Sequence, residues 1–194
     1  FLTLTPLDER GEFNNALITS VVWDTAAGDR LILELVRTMQ EKGYGGVDID
    51  FEYIRGEDRD AFTEFVRRAA VIIHEFGFRV SIALAPKTSA SQRGLLYEGT
   101  DYPALGQIAD SVLLMTYEWG YKYGPNMAVA PIDKVEQVVR YAVTEIPAAK
   151  IRLGIPNYGY DWSLPYVRNV TVANTIGNVE AVQIAVTHYA RIQY

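Results

Sequence analysis

Short β-branched apolar runs alternate along the chain with longer stretches whose apolar residues recur at helical spacing, the pattern of a parallel α/β fold. Five runs predict strands: Leu2–Leu7, Gly46–Phe51, Arg79–Ala85, Ser111–Tyr117 and Ile151–Tyr158. Between the first two, Ile32, Leu35, Val36 and Met39 repeat at helical intervals, with Asp24 placed to cap the start and Gly43 to stop the helix. Between the second and third, Phe62, Phe65, Val66, Ala69, Ile72, Ile73 and Phe76 form one apolar stripe ended by Gly77. Further helices are predicted over Tyr102–Ile108 and over the stretch marked by Ile132, Val135, Val139, Ala142 and Ile146 before Pro147. The tail from about Asn178 to Tyr194 begins another.

Strands alternating with crossover helices fit two architectures, an open doubly wound sheet or a closed (β/α)₈ barrel. No strand end carries G-x-G-x-x-G or G-x-x-x-x-G-K-[ST], so the barrel is favoured. A full barrel typically takes ~250 residues. The chain has 194, and five strands leave about three of the barrel's eight unaccounted for. The expectation is a single domain over 1–194, a partial TIM barrel truncated at both ends, with no repeat or linker dividing it. Phe1 in place of an initiating Met agrees with a sequence cut from something longer.

Composition narrows the chemistry. Lys+Arg 18 against Asp+Glu 24 gives a net charge of -6, and 49% of residues are hydrophobic, enough for a sizeable core. Without a basic cluster, nucleic acid is not an expected partner. No apolar run approaches the ~20 residues that span a bilayer, so no membrane partner is expected either. The absence of cysteine removes disulfides, thiolate metal sites and a cysteine nucleophile. Only two histidines occur, His74 and His188, far apart in sequence. Neither a metal nor a cofactor is expected, and proton chemistry falls to carboxylates or tyrosines. His74, near the C-terminus of an apolar helix, is read as structural.

The most unusual stretch is Gly45-Gly46-Val47-Asp48-Ile49-Asp50-Phe51-Glu52. Alternate residues of a strand share a face, so Asp48, Asp50 and Glu52 line one side at roughly 6.6–6.8 Å per step. Flanking helices take the apolar set, which turns the acids toward the inside of a barrel. Burying three carboxylates is a poor source of stability and an effective way to raise one pKa until it serves as a general acid. Glu52, last in the run, falls at the C-terminal mouth where barrel enzymes place their chemistry.

This run resembles the D-x-x-D-x-D-x-E signature of glycoside hydrolase family 18, the chitinase-like barrels. Asp48, Asp50 and Glu52 stand on the last three acidic positions and Gly45 stands on the first. Met115-Thr116-Tyr117-Glu118 resembles the family's M-x-Y-D, with Glu118 in place of the usual Asp. Gly154-Ile155-Pro156-Asn157-Tyr158-Gly159 resembles its G-x-P-x-Y-G. The ordered matches imply the third to seventh strands of the barrel. The wording around them is similar to the branch of spore-cortex and peptidoglycan N-acetylglucosaminidases, implying a wall-associated or spore-associated protein outside the cytoplasm.

The resemblance implies retaining, substrate-assisted hydrolysis of β-1,4 links in an N-acetylglucosamine-containing polysaccharide, in peptidoglycan or a chitin-like polymer. Glu52 is then the acid/base, Asp50 the partner of the acetamido N–H, Asp48 its deeper neighbour and Tyr117 the donor to the acetamido oxygen. Met115, Glu118, Trp119 and Tyr158 are read as substrate-binding, and Tyr121, Tyr123, Tyr160 and Trp162 are left open. The alternative is a chitinase-like carbohydrate-binding protein without catalysis, a class that often loses the terminal acid retained here. With strands missing, open sheet edges are expected to favour self-association, and this piece alone is expected to turn over little substrate.

Overall fold

The apolar runs become five parallel strands in a computed structural model that describes residues 1–193: β1 (Leu2–Leu4), β2 (Gly46–Ile49), β3 (Arg79–Leu84), β4 (Ser111–Leu114) and β5 (Ile151–Leu153). They pair in chain order, β1-β2-β3-β4-β5. A doubly wound sheet reverses its order at a switch point, whereas a barrel wall runs on in sequence, so this sheet has the order of a barrel wall. The register aligns Thr3 with Asp48, Asp48 with Ser81, and Ser81 with Ser111, a polar row across one face. The period of two sends Val47, Ile49, Val80, Ile82, Val112 and Leu114 to the other face, where each is fully buried. Burying one such aliphatic side chain contributes about 1.5–3 kcal/mol.

This sheet belongs to one of two compact units, formed by residues 1–115 and 138–153. Its helices begin with α1 (Asn15–Trp23) and α2 (Thr25–Lys42). Asp24 closes the first and caps the second, its carboxylate accepting from Ala27 N–H at 3.0 Å. Gly43, at φ 73, adopts the left-handed conformation that ends α2. In α3 (Arg59–Glu75), Phe62, Phe65, Val66, Ala69 and Ile73 are buried as the stripe predicts. Phe51 stacks on Phe65 with ring centroids 6.0 Å apart, which ties the segment after β2 to this helix. Phe76 departs from the stripe, because it lies past the last helical turn and is 47% exposed. The helix α4 (Tyr102–Ile108) has its predicted bounds, with Asp101 as its N-cap.

In α5 (Ile132–Glu145) the buried residues are Val138 and Ala142, and Ile132 is exposed. The second unit, residues 116–137 and from Gly154 onward, carries an antiparallel hairpin that the periodicity does not predict. The fifth apolar run, expected to continue through Tyr158, breaks after Leu153. Tyr158 instead opens β6 (Tyr158–Asp161), paired with β7 (Asn174–Gly177). The helix α6 (Asn178–Thr187) lies against both strands, as the tail predicted. Among the described residues no helix is long and apolar enough to cross a membrane.

Candidate active site

The acidic run leaves the sheet as it leaves β2. Asp48 is still in the ladder between Thr3 and Ser81, Asp50 N–H reaches Leu4 O at 2.9 Å, and Glu52 lies beyond the paired residues. All three side chains are half-buried, while their alternating neighbours Val47, Ile49 and Phe51 are buried on the helix side. Burial pushes the Asp50 carboxyl above the ordinary carboxylate range, and the charge of Asp48 adds to it. Glu52 is raised in the same way, first by burial and then by Asp50. Asp50 Oδ1 is buried without a hydrogen-bond partner. Like charges at close spacing on a half-dry face favour the protonated forms, the state a general acid needs. Asp48 also lines a cavity of about 300 Å³ with Thr3, Ser81, Ser111 and Arg152.

The chain after Glu52 is held in place. Tyr53 sits at φ 57, a left-handed conformation that stores about 1–3 kcal/mol in a residue other than glycine. Asn15 Nδ2 donates to Tyr53 O at 2.6 Å. Five residues on, Asp58 is 2% exposed and accepts from Thr19 Oγ1 and from Trp23 Nε1, both at 2.7 Å. Such strain persists only where the surroundings over-determine it, and α1 supplies those restraints.

Met115 is half-buried, with its N–H on Leu84 O at 3.0 Å, and closes the sheet's unit. Tyr117, Glu118 and Trp119 belong to the second unit and follow β4 as a loop, since the strand expected to reach Tyr117 ends at Leu114. Glu118 also takes a left-handed conformation, at φ 67. Its carboxylate accepts from the Tyr158 hydroxyl and, at 2.9 Å, from the Tyr160 hydroxyl. Burial and then the Glu118 contact push Tyr160 up to about 12 and move Tyr158 further in the same direction. Trp119 is half-buried, and its backbone N–H donates to Val129 O at 3.1 Å.

The structure thus brings Asp48, Asp50 and Glu52 together in one unit, and Glu118 and Tyr158 together in the other. Tyr160, left open from sequence, joins the second group. Tyr158, Tyr160 and Trp162 form a ring chain with centroids 5.9 and 5.8 Å apart, and Trp162 Nε1 donates to Gly124 O at 2.9 Å. The signal was present in Tyr158-Gly159-Tyr160-Asp161-Trp162, where strand alternation puts the rings on one face. Among the described residues no three His, Cys, Asp or Glu side chains are grouped to hold a metal ion.

The chain is 45% identical over 186 residues to the cortical fragment-lytic enzyme of Bacillus subtilis, covering 96% of this chain and 43% of that protein. It superposes on the crystal structure of the spore cortex-lytic enzyme SleL of Bacillus cereus with a TM-score of 0.94 at 35% identity, covering 100% of this chain and 44% of that one. A chitinase from Chromobacterium violaceum matches with a TM-score of 0.86 at 27% identity, over 99% of this chain and 58% of that one. The chain therefore spans less than half the length of the curated relative it matches. The sheet order and strand-end acids place the chain among partial (β/α)₈ barrels, and the model of glycosyl hydrolases family 18 matches residues 11–187: the chain belongs to that family.

Proposed function

We propose that this protein is a glycosidase that cleaves β-1,4 linkages following N-acetylglucosamine in peptidoglycan, with retention and with the substrate's own acetamido group as nucleophile. The observation that carries this reading is the alternation of half-buried carboxylates at the end of β2, with Asp50 and Glu52 both held toward protonation. The similarity to cortical fragment-lytic enzymes supports peptidoglycan over chitin.

In this mechanism Glu52 gives its proton to the glycosidic oxygen as the bond from that oxygen to the anomeric carbon breaks. The acetamido carbonyl oxygen closes on the anomeric carbon and forms an oxazolinium ion. Asp50 accepts the acetamido N–H and stabilises the positive charge, and Asp48 tunes Asp50 from below. The Glu52 carboxylate then takes a proton from the water that attacks the same carbon, which reopens the ring and restores the acid. The usual spacing rule for a protein nucleophile and an acid does not govern this family. Tyr117 is assigned to the acetamido oxygen, and Met115, Glu118, Trp119 and Tyr158 to contacts with the sugar, as the motif matches imply.

Glu52→Gln keeps the shape and removes the proton. Hydrolysis of a peptidoglycan oligosaccharide is expected to fall at least ~10²-fold with binding retained. An unchanged rate would overturn the assignment of the acid. A thiazoline analogue of the oxazolinium ion is expected to inhibit competitively, and its failure would point to a protein nucleophile. Sugar binding without turnover in the unmutated protein would select the carbohydrate-binding alternative.

A further inference from the structure

Beside the acidic strand lies a pocket of the opposite charge. It occupies about 440 Å³ and is lined by Arg59, Lys87 and Arg93, with Ser91, Gln92 and the single carboxylate of Glu98. In a chain of net charge -6 this is a local reversal of sign. The pocket is built by the loops that follow β2 and β3, adjacent strands, so it opens at the strand carboxyl ends where barrel enzymes receive substrate.

The walls are fixed before any ligand arrives. A Cβ on Gly99 would overlap the Ile54 carbonyl, so the two loops meet backbone to backbone. The Tyr102 hydroxyl, 1% exposed, donates to Ala85 O at 2.5 Å and accepts from Lys87 N–H at 3.0 Å. Lys87 is 3% exposed and donates to Tyr97 O at 3.3 Å and Thr100 O at 3.1 Å. Its ammonium also lies over the Tyr102 ring, 5.6 Å from the centroid, within the field of Asp101 and Glu145. Burial, and then the charge of Arg59, hold Lys87 below its ordinary pKa. Arg59 gives one bond to Asp101 Oδ2 at 2.8 Å, and its Nε is buried without an acceptor. Arg93 has no ion-pair partner among the described residues. Three cationic side chains against the one carboxylate of Glu98 leave the lining net positive, and a carboxylate entering the pocket would gain charge-assisted hydrogen bonds from the guanidinium donors of Arg59 and Arg93.

We infer that the pocket lined by Arg59, Lys87 and Arg93 binds a carboxylate carried by the glycan, supplied by the lactyl group of a peptide-free muramic acid unit. This inference rests on the glycosidase reading and deepens it, because it makes acidic peptidoglycan a better ligand than neutral chitin oligosaccharides.

The test measures binding by calorimetry on the full-length protein carrying Glu52→Gln, which prevents turnover. Its ligands are an N-acetylglucosamine–N-acetylmuramic acid oligosaccharide, the same glycan with its carboxyl groups converted to methylamides, and a chitin oligosaccharide of equal length. The free-acid glycan is expected to bind about tenfold more tightly than the amide, an advantage that weakens with salt. Adding Arg93→Gln is expected to remove most of that advantage, while its unchanged melting temperature shows that the fold is intact. Equal binding of acid and amide overturns the inference and leaves the glycosidase reading standing. Binding of none of the three glycans overturns both. If acetate alone binds in an Arg93-dependent way and amidating the glycan changes nothing, the pocket takes a free anion and the glycan assignment is overturned.

Discussion

Asp50 and Asp101 are the same residue type in the same unit, each partly buried, and the fold treats them in opposite ways. Asp50 faces Asp48 and Glu52 on the acidic run, and one of its oxygens is buried without a donor. Asp101 caps α4 through Ala104 N–H at 3.0 Å and meets Arg59 at 2.8 Å. Burial alone would raise Asp101, but the Ala104 N–H and then the Arg59 guanidinium outweigh it and hold the carboxyl below its ordinary range. A half-dry position therefore does not decide what a carboxylate does; the donors aimed at it do. The paired acid supports the fold, and the crowded acids reduce stability at neutral pH.

The sharpest way to break that comparison is to remove both acids separately. Asp101→Ala deletes a helix cap and leaves Arg59 without its partner, so unfolding free energy measured in urea is expected to drop by about 1–2 kcal/mol. Asp50→Asn is expected to do the reverse at neutral pH and raise the melting temperature by roughly 2–4 °C, equivalent to about 1 kcal/mol in a chain of this size. The sign follows from linkage. A carboxyl raised in the folded state stabilises fully below its ordinary value of 3.8, and that stabilisation is lost as pH rises through the folded value. The gain from Asp50→Asn should therefore disappear in melts below pH 3.8.

A smaller effect of opposite sign is expected at Asp110. Burial would raise it, but the Val80 N–H at 2.8 Å and His74 at 2.9 Å hold it low. Its stabilisation is present above the ordinary 3.8 and is lost as pH falls through the lowered value. Asp110→Asn should thus cost under about 1 kcal/mol at neutral pH and less in acid, read from the same melts. The smallest change is expected for His74→Gln, within about 0.5 kcal/mol, because the pair with Asp110 is largely solvated. A loss well above that would show that an exposed pair matters as much as a buried cap.

Much of this was legible in the residues, and the exceptions have physical reasons. Local chemistry marks its own boundaries: Asp24 and Gly43 delimit α2, and Asp101 opens α4 where expected. The alternation of acids after Gly46 put three carboxylates on one face without any knowledge of their neighbours. By contrast, α1 reads Asn-Ala-Leu-Ile-Thr-Ser-Val-Val-Trp, apolar nearly all round, so no stripe distinguishes a helix from a strand. The β6–β7 hairpin was hidden because its strands are four residues each with no buried position to set an alternation, and a connection without strong periodicity separates them. Asp58 was illegible for a different reason. Within Gly56-Glu57-Asp58-Arg59-Asp60 it looks like one solvated charge among several, and its partners lie 35 and 39 residues earlier on the helix that sequence did not reveal. The cationic pocket was missed likewise, because Arg59 at the start of α3 and Arg93 in the loop after β3 are 34 positions apart in the sequence and only the fold brings them to one pocket.

The clasp of Asp58 by an indole and a hydroxyl of α1 gives the segment bearing the proposed acid a tether outside the sheet. Damage to a helix that performs no chemistry would travel along that tether. A truncated Trp23 would slacken the peptide behind Glu52 and reach the reaction as lost aim, with every reacting group still present.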